Sequence, residues 1–120
     1  MINSSEKLIS LIVERLEKIR PFKIILFGSH AYGQPGNESD IDLLVVLNAT
    51  GILKSYAEKK KLDLSVSVII RDIRKQTAID LIVQTKTMYE KFVELDSMFS
   101  QELERNGRVI YEADNQRMAS

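Results

Sequence analysis

Three short apolar runs limit what this chain can fold into: Phe22–Phe27 (FKIILF), Asp40–Leu47 (DIDLLVVL) and Ala78–Gln84 (AIDLIVQ). Each lacks room for a buried helix and is bounded by turn-forming or polar residues, so each predicts a buried strand. Around them the apolar residues recur at helical spacing. Residues 3–20 put Leu8, Ile9, Ile12, Val13, Leu16 and Ile19 on one face; Asn3 with Glu6 resembles a capping box, and Pro21 stops the helix. Residues 51–77 are two-sided. Leu62, Val66, Ile69 and Ile73 fit a helical face, whereas Leu62, Leu64, Val66, Val68 and Ile70 alternate as in a strand. The run continues to about residue 75, longer than most strands, which favours a helix ending in Arg71, Arg74 and Lys75.

Thr87 and Glu90 predict a second capping box, opening a helix through Asn106 with Met88, Phe92, Leu95, Phe99 and Leu103 as its buried face. Asn106-Gly107 ends it. Arg108–Tyr111 reads as a brief last strand at a sheet edge, where a partner could add, with homo-oligomerisation left open. The domain is expected to span residues 1–111, with 112–120 as a flexible tail. The order α-β-β-α-β-α-β predicts an α/β fold, one small mixed sheet with helices packed against it.

Composition narrows the function classes. At 120 residues the chain suits one domain with a core needing no staples. The absence of cysteine excludes a disulfide scaffold, a thiolate zinc site and a cysteine nucleophile. No apolar run approaches the ~20 residues that span a bilayer, and the N-terminus shows no cleavable apolar segment. The expected compartment is therefore the cytoplasm, with no membrane partner. Seventeen basic against 17 acidic residues argue against a protein that tracks nucleic-acid backbone, though nucleic acid stays open as an acceptor.

The chemistry concentrates in Gly28-Ser29, followed after ten residues by Asp40-Ile41-Asp42. In a strand, residues i and i+2 share a face, with Cα atoms ~6.7 Å apart. Two same-face aspartates opening an apolar strand repel each other and are costly to bury unpaired. They ask for a cation, and hard oxygen ligands select Mg²⁺ or Mn²⁺. Two-metal sites hold their ions ~3.5–4 Å apart, within the span of such a pair. Gly28 permits a tight turn and close approach of a ligand, and Ser29 offers a hydroxyl and an N–H to phosphate oxygens. A bland reading makes Asp40 a loop cap and Asp42 a solvated strand residue. It leaves the Gly-Ser turn after the preceding strand unexplained.

The segment GSHAYGQPGNESDID resembles the GS-x10-DxD signature of the DNA polymerase β-like nucleotidyltransferase superfamily, and its minimal bacterial and archaeal members most of all. Gly28 and Gly33 match the glycines of that group's GSxAxG pattern. The resemblance covers roughly residues 22–111 and implies the polymerase β-like nucleotidyltransferase fold. It assigns a nucleotide phosphate to Gly28 and Ser29 and two divalent ions to Asp40 and Asp42. It also implies a third carboxylate on a later strand. Asp80, in AIDLIVQT, resembles the family's strand of that kind; Asp63, in LDLSVSV, is read as a solvated helix residue. Asp40, Asp42 and Asp80 are thus both the metal and the catalytic set. The implied reaction transfers NMP, in the first instance AMP from ATP, to a hydroxyl by a two-metal mechanism. The minimal members also imply a separate helical partner of HEPN type, in some pairs a toxin modified on a tyrosine by its antitoxin. The alternative is a catalytically silent, nucleotide-binding antitoxin that acts by occlusion.

Other residues have plainer readings. His30 is expected to be a half-exposed loop residue, Tyr32 to stack near the site or pack the loop, and Lys59-Lys60-Lys61 to be a solvated helix start that could steer an anion.

Overall fold

The structure, a computed structural model, describes residues 4–31 and 40–113. Helix α1 (Ser4–Leu16) tightens into a 3-10 turn (Glu17–Ile19) and leads to strand β1 (Lys23–Phe27). A 3-10 turn (Gly28–His30) follows, then β2 (Ile41–Leu47). Helix α2 (Tyr56–Ser67), a 3-10 turn (Val68–Ile70) and the short α3 (Arg71–Arg74) carry the chain to β3 (Ile79–Thr85). Helices α4 (Lys86–Leu95) and α5 (Met98–Asn106) precede β4 (Arg108–Glu112). The expected α/β class and element order hold. Asn3, of the expected first capping box, lies outside the described residues.

The four strands form one mixed sheet in the order β3-β2-β1-β4. β1 is antiparallel to β2 and β4, and β2 is parallel to β3 through the α2–α3 crossover. Strand alternation divides the core between two faces. Ile24, Leu26, Leu43, Val45 and Val83 meet α1, α2 and α3 through Ile9, Ile12, Leu16, Val66, Ile70 and Ile73. Ile25, Leu44 and Val46 meet α4 and α5 through Tyr89, Phe92 and Leu103 on the other face. The apolar halves of β1 and β2 are buried because helices cover both sides. In α1, Ile19 falls outside the expected buried face: the helix has already tightened, and Arg20 turns left-handed (φ 49°) before Pro21.

Within the 51–77 stretch residues 56–74 are helical, as its length suggests, but in three pieces and not one helix, with Val66 and Ile73 fully buried and Leu62 and Ile69 partly so. The expected single helix over 87–106 is instead two. Asp96 adopts a left-handed conformation (φ 50°) and closes α4, and the Ser97 side chain accepts from the Ser100 N–H to open α5. The break turns Leu95 outward, 80% exposed, and leaves Phe99 only partly covered, so the expected continuous stripe is not all core. The cap of α4 is Thr85, whose hydroxyl accepts from the Met88 N–H, and not Thr87, whose hydroxyl accepts from the Gly51 N–H. β4 is an edge, as expected. It continues through Glu112, and the Ala113 N–H donates to the Phe22 carbonyl, so ordered pairing extends past residue 111.

Candidate functional site

Three strands bring their chemistry to one end of the sheet. β1 finishes at Phe27, whose partner across the ladder is Asp42; Asp42 in turn is level with Asp80 on β3. The Ile41 N–H donates to the Ala78 carbonyl at 3.0 Å, fixing the start of the parallel pair. Adjacent strands lie ~4.8 Å apart, so the two carboxylates stand side by side. By alternation both point to the face that α4 and α5 cover farther along the strands, where Leu44, Val46 and Ile82 lie. Asp42 is half-buried on a central strand, and Asp80 is exposed on the edge strand.

Gly28 leaves β1 with φ +74°, and the Ala31 N–H donates back to its carbonyl at 3.0 Å, closing the turn. A Cβ on Gly28 would collide with the Asp42 carboxylate, overlapping Oδ2 and standing 3.1 Å from Cγ. Glycine is thus required twice at this position, for the backbone angle and for the closeness of the carboxylate. The Ser29 backbone lies in the same turn.

Burial pushes the Asp42 carboxyl up to about 6; a hydrogen bond with Asp80 and the negative charges of Asp80 and Asp40 add to it, and His30 opposes. The rise reflects the cost of ionising a half-buried carboxylate beside a second one. Asp40 is exposed, one residue before β2, and acts on Asp42 through its charge. Among the described residues no group of three His, Asp or Glu side chains stands at metal-holding spacing, so the assembled donors are Asp42 and Asp80. That pair fits a hard divalent cation: Mg²⁺ is usually bound through one or two carboxylates together with substrate phosphates.

Asp63 stands apart. It sits on α2, where Lys59 Nζ donates to its carboxylate at 2.7 Å and to the Val83 carbonyl at 2.8 Å. One lysine of the 59–61 run is therefore engaged and not simply solvated. His30 departs from expectation: it is only 7% exposed, folded in by the turn after Gly28. Tyr32 and Gly33 lie outside the described residues. Sequence reasoning missed an aromatic cluster behind the site. Phe27 meets Phe99 edge-on at 5.4 Å, and Phe99 meets Phe92 at 5.6 Å. The available signal was Phe92 and Phe99, two helical turns apart, with Phe27 directly before the glycine.

Comparison with known proteins gives this geometry a family context. The profile of the nucleotidyltransferase domain matches residues 6–110. No curated protein matches the chain significantly in sequence. Among solved structures, a candidate nucleotidyltransferase from Sulfolobus solfataricus is similar, with a TM-score of 0.57 and 21% identity over 88% of this chain and 78% of that one. A toxin–antitoxin with AMP-PNP gives a TM-score of 0.52 and 18% identity, over 92% of this chain and 77% of that one. A tyrosine-to-alanine mutant of the toxin–antitoxin MntA–HpeT gives 0.50 and 17%, over 99% and 80%. At these identities the neighbours establish the fold.

Proposed function

Because the chain belongs to the nucleotidyltransferase domain family, we propose that it transfers AMP from ATP to a hydroxyl on a protein, with Asp42 and Asp80 as the working pair. The observation that carries this reading is the level placement of Asp42 and Asp80 against the Gly28 turn. Asp42 and Asp80 would hold Mg²⁺, with Mn²⁺ as the substitute, and Asp40 would join them from the start of β2. Bound there, the ions neutralise phosphate charge and polarise the phosphorus, the role they play in two-metal phosphoryl chemistry.

The chain's own groups do the rest. The Gly28–Ser29 turn offers N–H groups and an open α-carbon on which the triphosphate can rest. The half-buried position of Asp42 holds its carboxylate against that turn, so the α-phosphorus is fixed relative to both. Asp80, exposed on the edge strand, orients the incoming hydroxyl. The hydroxyl oxygen attacks the α-phosphorus in line as its proton passes to the Asp80 carboxylate, the bond to the bridging oxygen breaks, and pyrophosphate leaves with that electron pair.

ATP as donor is supported by the AMP-PNP in one structural neighbour, and a toxin as acceptor by the toxin–antitoxin pairs among them. The resemblance to minimal members supports a helical HEPN-type partner and a tyrosine hydroxyl. No helix among the described residues is long and apolar enough to cross a membrane. The test is incubation with labelled ATP, Mg²⁺ and the co-purifying partner, beside Asp42→Ala. Label should move to the partner only with the unaltered protein. Label transfer that survives Asp42→Ala sinks the mechanism, and protection of the cell without any transfer favours the silent, occluding antitoxin.

A further inference from the structure

The outer face of α2 carries an apolar stripe with no use in the site. Tyr56, Leu64 and Val68 are 80%, 57% and 52% exposed, and with Lys60 they fall at successive four-residue steps. Four-residue steps keep the stripe on one side of the helix, and twelve residues cover ~18 Å of axis. A groove of about 310 Å³ runs beside it, lined by Tyr56, Lys60, Asp63, Leu64, Ser67, Arg74 and Leu81.

The charge around this groove is one-sided. The basic lining residues Lys60 and Arg74 are exposed, and among the described residues no ion pair engages them. The acid in its lining, Asp63, is already paired with Lys59, and Asp72 on the neighbouring α3 is paired with Arg15. The groove also has a direction. Its Tyr56 end lies by the C-terminal end of β3, where Thr85 and Thr87 hold Gly51. Its Arg74 end lies by the start of β3, and Leu81 on its floor directly follows Asp80. Strand addition to the free edge of β3 is obstructed at Val83, whose carbonyl already accepts from Lys59.

We propose that the α2–β3 groove docks an acidic amphipathic helix of a protein partner and so brings that partner to the Asp80 end of the sheet. The apolar face of such a helix covers Tyr56, Leu64 and Val68, and its carboxylates pair with Lys60 and Arg74. The proposal rests on the reading of a protein acceptor.

The test uses two synthetic peptides of about 18 residues, sharing one leucine stripe at helical spacing, one flanked by glutamates and the other by lysines. Binding is measured by fluorescence anisotropy, and the face is located by amide chemical shifts. The acidic peptide should bind about tenfold or more tighter than the basic one, with shifts around Leu64 and Arg74. The double variant Lys60→Glu/Arg74→Glu should invert that preference, and Leu64→Lys should abolish binding of the acidic peptide. Equal binding of both peptides, or shifts elsewhere, overturns the proposal. So does a dimer in light scattering that Leu64→Lys dissolves, which would make a second copy the occupant. MgATP binding to the unaltered protein is measured in parallel. Lost peptide selectivity with intact MgATP binding removes the groove alone, and the converse removes the transferase reading alone.

Discussion

Gly28 ties backbone conformation to the Asp42 carboxylate more tightly than any other residue described. Its positive φ costs an L-residue about 1–2 kcal/mol on the left-handed side, and a methyl there also strikes the Asp42 carboxylate. Gly28→Ala is therefore expected to lower the urea midpoint and to weaken MgATP binding together, because the strain is relieved only by moving Asp42. A variant that loses stability but binds MgATP normally would show that the turn and the carboxylate are independent. Gln84 makes the opposite case. Its Oε1 is buried without a hydrogen-bond partner among the described residues. Gln84→Met should raise stability by about 1 kcal/mol by removing an unsatisfied acceptor while keeping volume, measured by urea unfolding. The acids of the site were legible in sequence because two of them open apolar strands, where a charge needs a reason. His30 was not, since a histidine in a glycine-rich segment carries no burial signal until the turn folds it inward.

At the level of elements, strand and helix identities were readable from periodicity, and the boundaries that failed did so for local reasons. Thr87 followed by Glu90 satisfies the capping pattern, but the chain leaves β3 two residues earlier, at Thr85. There one hydroxyl does two things: it accepts from the Met88 N–H at 3.1 Å and donates to the Gly51 carbonyl at 2.6 Å, nearly fully buried. Thr85→Ala should accordingly cost about 2 kcal/mol, a lost cap plus a stranded carbonyl. Thr87→Ala removes one exposed contact and should cost about 0.5 kcal/mol or less. Equal losses in denaturant unfolding would return the cap to Thr87. The split between α4 and α5 was hidden because Asp96 and Ser97 interrupt neither charge nor periodicity. Only the left-handed Asp96 backbone shows why Leu95 and Met98 face outward.

Across the whole molecule, two carboxylates set opposite pH dependences. Asp72 on α3 meets Arg15 on α1 through paired contacts of 2.8 Å, joining segments 57 residues apart. That partnership holds the Asp72 carboxyl down to about 2. A carboxyl lowered on folding stabilises the native state above its unfolded value of about 4. The contribution is lost as pH falls from there to about 2. Asp42 runs the other way, since its folded value of about 6 lies above the unfolded one. Between about 4 and 6 the native state holds more protons than the unfolded chain, so stability falls as pH rises through that window and stays low above it. Without divalent metal these two groups together place their stability maximum near pH 4. Thermal melts in EDTA should show Asp72→Asn flattening the limb below pH 4 and Asp42→Asn flattening the decline between 4 and 6. Adding Mg²⁺ at pH 7.5 should raise the melting temperature of the unaltered protein by satisfying the ionised pair, and leave Asp42→Asn nearly unmoved. A decline that persists in Asp42→Asn would mean that the pH sensitivity arises outside the Asp42–Asp80 pair. An Mg²⁺ response that persists there would move the cation away from the one place where β1, β2 and β3 bring a glycine turn and two carboxylates together.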